Sequence, residues 1–330
     1  MTLLMTTFKI MGGAFLALLC ICGFSYLTDN SKPSKWEINK LSTDSAAIAW
    51  AKFEWTNDTF GGKYFERTSM NIPCKLEGLP NTFTFQFDLG AFSTGVYENP
   101  YSSFYILNKK LENKIKRLKS PIQFWNKNKI FQNFQINFGN YTATNKEGFV
   151  YKDYGEKIVA PNLTDTFHLG TIGSDLFKDK VLIIDYPNRR FAICDTIPKE
   201  FAMTFIDIEL DNNGRVILPM TIHNNSYRIM FDNGSSIFPI ITEAKNIRNY
   251  STLPDIDTIQ ISSWGQTHGV TGKMIKDTFE LAGQKFSNVK VYANHTGSGI
   301  DKQTDGMTGN ALFWNRTIVI DYRNKKFGMK

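Results

Sequence analysis

Two aspartates stand in matching surroundings of this chain. Asp88 closes the run Phe83-Thr-Phe-Gln-Phe-Asp88-Leu-Gly90-Ala91, and Asp232 closes Tyr227-Arg-Ile-Met-Phe-Asp232-Asn-Gly234-Ser235. In each, an apolar, strand-forming run ends in Asp-x-Gly. A glycine there accepts φ > 0, so the chain can turn sharply and leave the carboxylate at a loop tip. One such turn is commonplace. Two at equivalent places bring a pair of carboxylates together if the two segments pack about a two-fold axis. Like charges in contact do not both ionise easily, so one proton is held between them and their titrations split. The ionised member can then take a proton from a bound water while the protonated member polarises a carbonyl. Water adds directly, and the chemistry asks for no metal, no cofactor and no covalent intermediate.

The elements around the two aspartates also recur. Gly170-Thr-Ile-Gly173-Ser-Asp-Leu-Phe177 corresponds to Gly306-Met-Thr-Gly309-Asn-Ala-Leu-Phe313. Val181-Leu-Ile-Ile-Asp185-Tyr186-Pro-Asn188-Arg-Arg-Phe191 corresponds to Thr317-Ile-Val-Ile-Asp321-Tyr322-Arg-Asn324-Lys-Lys-Phe327, and Gly173 to Asp185 spans the same 12 residues as Gly309 to Asp321. Upstream, Pro73-Cys74-Lys-Leu76 matches Pro219-Met220-Thr-Ile222. Self-similarity on this scale divides the chain into two like units. We expect one lobe over residues 71–195, a linker over 196–216 and a second lobe over 217–330. Residues 31–70 have no counterpart and are expected to form a stalk plus one or two extra strands. Short apolar runs with Asn-basic-basic turns predict strands and hairpins.

This doubled pattern resembles the pepsin-like and retropepsin-like aspartic proteases over most of residues 71–330. The resemblance rests on apolar-apolar-Asp-x-Gly-Ala/Ser in each half, with Thr171-Ile172-Gly173 and Met307-Thr308-Gly309 closing the halves. It implies an all-β, two-lobed fold of the double-psi barrel type with few short helices. It implies that Asp88 and Asp232 are the catalytic dyad, that Gly90, Ala91, Gly234 and Ser235 shape the loops, and that Gly173 and Gly309 lie beneath them. The substrate would be extended peptide or protein, and one chain would suffice as a monomer, since it supplies both lobes. The family usually carries Thr or Ser after each aspartate, whose hydroxyls cross-link the loops. Here Leu89 and Asn233 stand there. Asn233 can still donate a hydrogen bond; Leu89 cannot, and a lost buried bond costs about 1 kcal/mol. Leu89 therefore favours a second reading, a protease-like cleft that binds peptide or another envelope ligand without cutting it. A third is a structural domain held at a membrane. Retention of both Asp-x-Gly motifs favours the peptidase.

A covering hairpin would complete the cleft, and two turn-rich stretches are candidates: Asn137-Phe-Gly139-Asn-Tyr141 and Trp264-Gly265-Gln-Thr-His268-Gly269. Leu107, Leu111, Ile115 and Leu118 recur at helical spacing among lysines and predict an amphipathic surface helix. At the N-terminus, Lys9 precedes the mostly apolar run Ile10–Leu27. That pattern marks residues 1–30 as a signal peptide or membrane anchor and the protein as exported, with the question of cleavage open. Export would permit a Cys74–Cys194 disulfide. Of the other residues, His168, His223, His268 and His295 lack ligand spacing. Asp185 and Asp321 suit turns, and Ser93 and Ser236 lack a nucleophile elbow. A net charge of +7 dispersed over 330 residues, without zinc spacing or a basic arm, gives no nucleic-acid signature.

Overall fold

The computed structural model describes residues 35–41, 48–117, 129–263, 266–296 and 300–330, and the apolar run Ile10–Leu27 lies outside them. Strand patterning begins at the first aspartate-bearing segment. Phe83, Phe85 and Phe87 are fully buried and alternate with half-buried Thr84 and Gln86, the two-residue period of a strand. This Phe83–Phe87 strand lies between Lys63–Leu76, antiparallel (Pro73↔Thr84), and Phe167–Ile172, parallel (Ile172↔Phe87). The second segment repeats the arrangement. Asn225–Phe231 lies between Val216–Ile222, antiparallel (Pro219↔Arg228), and Gly306–Thr308, parallel (Thr308↔Phe231). Each segment thus centres its own sheet, of nine strands in the first lobe and ten in the second among the described residues.

A third sheet of six strands joins the lobes. At its centre Val181–Asp185 and Thr317–Asp321 run antiparallel with Val181↔Asp321, Ile183↔Val319 and Asp185↔Thr317. Matching positions of the two sequence blocks therefore face each other about a local two-fold axis between Ile183 and Val319. Both residues are fully buried. The aromatic packing behind the loops matches as well. Phe87 meets Phe177 at 5.4 Å and Phe191 at 5.3 Å, while Phe231 meets Phe313 at 5.3 Å and Phe313 meets Phe327 at 5.9 Å. Asp185 accepts hydrogen bonds from Asn188 Nδ2 and Arg190 Nε, and Asp321 accepts one from Asn324 Nδ2, so both serve their turns as expected.

Several expectations change. Residues 36–41 and 48–70 are woven into the sheets. They supply Glu37–Lys40, Trp50–Lys52, Glu54–Phe60 and the start of Lys63–Leu76. The stretch 196–216 holds strands of its own, Phe205–Asp207 pairing with Lys326–Met329 and Glu209–Leu210 with Val216–Ile222. The amphipathic helix is absent. Asn108 Oδ1 accepts from Lys110 N at 3.1 Å and starts a short 3-10 turn, Lys109–Lys114. Ile115–Arg117 then leave as a strand, with β-branched Ile115 paired to Phe131, and Leu118 lies outside the described residues. Cys74 and Cys194 are buried free thiols. They belong to separate apolar clusters, Cys74 to the main core that runs through both lobes and Cys194 to a smaller one on the six-stranded sheet, so no disulfide joins them. No helix among the described residues is long and apolar enough to cross a membrane.

Candidate active site

Each aspartate leaves its strand at a position fixed by the parallel neighbour. Asp88 N donates to Ile172 O at 3.0 Å, and Asp232 N donates to Thr308 O at 2.9 Å. The loops then close on themselves. Ala91 N donates to Asp88 Oδ1 at 3.0 Å; Gly234 N and Ser235 Oγ donate to Asp232 at 2.9 and 3.1 Å. A Cβ built on Gly173 would lie 2.8 Å from Ala91 O, and one on Gly309 would lie 2.0 Å from Ser235 O. Both glycines therefore pass directly beneath the loops.

The two loops interlock across the lobe junction. A Cβ on Gly90 would lie 2.3 Å from Asp232 Cγ, and a Cβ on Gly234 would lie 2.7 Å from Asp88 Cγ. Each glycine thus vacates the space that the opposite carboxyl group fills. Neither has φ in the left-handed region. The turn-forming role expected of them is replaced by a steric one, closeness of approach.

The carboxyl groups of Asp88 and Asp232 lie close together, each against the glycine of the opposite loop. Asp88 is buried, while Asp232 is half-buried. Burial first, then the Asp232 charge and the hydrogen bond to it, push Asp88 well above the usual carboxylate range; the Ala91 and Gly90 amides pull the other way.

Leu89 and Asn233 resolve the missing hydroxyls. Leu89 is fully buried in the apolar core, and its amide donates to Asn233 Oδ1 at 2.5 Å. One side-chain-to-backbone bond thus joins the loops, with Asn233 as acceptor where it was expected to donate and the Leu89 backbone as donor. Truncating Leu89 should act as a core deletion: Leu89→Ala is expected to lose about 2–5 kcal/mol of unfolding free energy. Denaturant titration checks this, and a loss under about 1 kcal/mol would show that the pocket does not need the side chain.

Among solved structures, the chain is similar to an aspartic proteinase from Irpex lacteus. Identity is 12%, coverage is 86% of this chain and 97% of that one, and the TM-score is 0.46. No protein-family model and no curated protein matches the sequence.

Several residues around the aspartate pair carry no mark in the sequence. Tyr97, Tyr151 and Tyr154 cluster close enough to Asp88 for its charge to act on all three hydroxyls. The Tyr97 ring meets Tyr154 at 4.7 Å and Tyr151 at 5.6 Å, edge to face, and the Tyr151 hydroxyl donates to Ser93 O at 2.6 Å. Half-buried Asp175 accepts from Thr94 N and Thr94 Oγ1, each at 2.7 Å, and from Trp36 Nε1 at 2.8 Å. It anchors the strand that follows the Asp88 loop. Ala311 stands at the matching place of the second copy, so comparing the copies could not single Asp175 out.

The candidate covering hairpins part ways. The Asn137–Tyr141 turn belongs to the opposite side: a Cβ on Gly139 would strike Ala51 of the six-stranded sheet at 2.6 Å, and the fully buried Tyr141 hydroxyl receives Ile193 N at 2.9 Å. Its aromatic ring is core and cannot grip a ligand. The second candidate is a hairpin of Asp257–Ser263 with Gln266–Ile275, whose tip, Trp264-Gly265, lies outside the described residues. In the first lobe the corresponding hairpin pairs Ile115–Arg117 with Lys129–Phe138. His168 is exposed on its strand, with its ring against Tyr97 at 5.4 Å and its Nδ1 3.2 Å from Thr84 Oγ1. Among the described residues, no three His, Cys, Asp or Glu side chains are grouped to hold a metal ion.

Proposed function

We propose that the protein is an aspartic-type endopeptidase that hydrolyses extended peptide through one water held between Asp88 and Asp232. The observation that carries this is the interlock: each Asp-x-Gly glycine leaves room for the carboxyl group of the other loop. Such close approach is hard to explain as scaffolding, because an unneeded buried carboxyl pair destabilises a fold.

The roles follow from the asymmetry of the pair. Asp88, buried and raised, holds the shared proton. Asp232, half-buried and accepting from Gly234 N and Ser235 Oγ, carries the charge. Water attacks the peptide carbonyl carbon. Its proton passes to Asp232 while Asp88 protonates the carbonyl oxygen. In the second step the amide nitrogen takes the proton from Asp232, the C–N bond breaks, and a hydroxyl of the tetrahedral intermediate returns its proton to Asp88. Both carboxyl groups end as they began. Export from the cytoplasm by the Ile10–Leu27 segment, anchored or cleaved, and action as a monomer complete the proposal.

The pH dependence has a definite sign. Activity needs one proton on the pair, so it falls at low pH when both carboxyls are protonated and falls again as pH rises and the proton leaves. Since Asp88 is raised, the upper limb lies above the ordinary carboxylate range, and the active window extends toward neutrality. A mixed peptide library assayed from about pH 3 to about pH 8, with a hydroxyl-bearing transition-state mimic as inhibitor, tests the proposal. No hydrolysis at any pH, together with tight binding of the mimic, would turn the reading to a binding cleft.

A further inference from the structure

The loop carrying Asp232 is held from below by groups that the other loop lacks. Asn310 is fully buried and spends its whole amide there. Its Nδ2 donates to Asn233 O at 2.7 Å and to Ser236 Oγ at 3.0 Å, and its Oδ1 accepts from the Tyr186 hydroxyl at 2.6 Å. Asn233 in turn accepts the Leu89 amide through Oδ1. A continuous path therefore runs from Tyr186, on the turn that ends the first lobe's central bridging strand, through Asn310 and Asn233 to the residue after Asp88. Every side chain along it is buried.

The matching place in the other copy shows what this path replaces. Ser174 stands where Asn310 stands in the second copy, and Tyr322 where Tyr186 stands in the first. Ser174 Oγ reaches only Ala91 O and Asn213 O, each at 3.3 Å. The Tyr322 hydroxyl, equally buried, has no hydrogen-bond partner among the described residues. The same tyrosine position thus carries a linked hydroxyl in one copy and an idle one in the other.

We propose that Tyr186 and Asn310 are positioning residues for the aspartate pair, fixing the Asp232 loop against the Asp88 loop in place of a cross-loop hydroxyl pair. The inference rests on the peptidase reading for its kinetic consequence but not for its structural one. Burial keeps the Tyr186 hydroxyl protonated and so a donor throughout the working range. Its ring is stacked on Trp55 at 6.1 Å and 10°, which fixes where the hydroxyl points.

Tyr186→Phe removes one oxygen and leaves that stack in place. With the path cut, the carboxyl groups drift apart, and the proton on Asp88 is held less tightly. The test compares Tyr186→Phe, Asn310→Ser and Tyr322→Phe in the full chain by two readouts. The first is carboxyl ¹³C NMR titration of Asp88, which needs no substrate. It is expected to fall toward the ordinary carboxylate range in Tyr186→Phe and Asn310→Ser and to match wild type in Tyr322→Phe. The second is peptide hydrolysis: kcat is expected to drop about 10- to 100-fold in the first two with KM within about 2-fold, as a misplacement of about 1 Å would give. The double variant is expected to lose no more than Asn310→Ser alone, since both act through one path. Should Tyr186→Phe and Tyr322→Phe share the wild-type titration and differ from it only in melting temperature, the positioning role is overturned. Absence of hydrolysis in wild type refutes the peptidase reading instead, and the titration still decides this one.

Discussion

Asp88→Asn and Asp232→Asn are each expected to lower peptide hydrolysis at least about 10³-fold, with the fold retained. The two changes break the cycle at different points. Asn at 232 cannot accept the proton of the attacking water. Asn at 88 cannot return a proton to the carbonyl oxygen. Because both steps act on the same tetrahedral centre, the double variant should be no worse than the worse single one. Stability separates the two. Asp88 has its pKa raised on folding, so the proton it binds contributes stability that is fully present below the unfolded-state value and is lost as pH rises through the folded one. A neutral amide at 88 has nothing to lose over that window. Asp88→Asn is therefore expected to melt higher than wild type near neutral pH and to converge with it in acid. Thermal unfolding at two pH values checks this. Residual hydrolysis above about one part in a hundred in either variant would remove the dyad mechanism, whatever the melting curves show.

What could be read in advance follows from where the two halves of the chain agree. Asp88 with Asp232, Gly173 with Gly309 and Asp185 with Asp321 occur in both copies, so each copy checked the other. A register of 12 residues between glycine and turn aspartate in both halves left little freedom in how the bridging strands meet. Tyr186, Asn310 and Asp175 escaped for the opposite reason. Their contacts exist in one copy only, and a comparison of copies discounts what is not shared. The tyrosines beside Asp88 escaped because an aromatic on a strand carries no mark in sequence of whether it faces core or cleft. Tyr141 and Tyr151 lie on the same strand, yet one is tied to the six-stranded sheet and the other lies near Asp88. Local periodicity misled at Leu107–Leu118, where a spacing of three and four fits an α-helix and a 3-10 turn alike over so few residues. There the tertiary pairing of Ile115 with Phe131 decided.

Gly90→Ala and Gly234→Ala should be nearly as damaging as loss of a carboxylate, and for a reason the sequence did not announce. Each added methyl would sit where the opposing carboxyl group now is, 2.3 Å from Asp232 Cγ in one case and 2.7 Å from Asp88 Cγ in the other. Nothing in the backbone forbids alanine at either place, since neither glycine has a left-handed φ. Relief must come from moving the carboxyl groups, and the two sites differ in what can move. Asp232 is half-buried and can swing outward; Asp88 is walled in. Gly90→Ala is therefore expected to displace Asp232 alone, with kcat down about 10²-fold and little change in stability. Gly234→Ala presses on a carboxyl group with nowhere to go, so it should lose activity on the same scale and also about 1–3 kcal/mol of unfolding free energy through overpacking. Kinetics and denaturant unfolding of the two variants side by side read both effects. Wild-type kcat in either one would mean that the loops do not interlock in solution, and the placement of the two carboxyl groups across one water would fall with them.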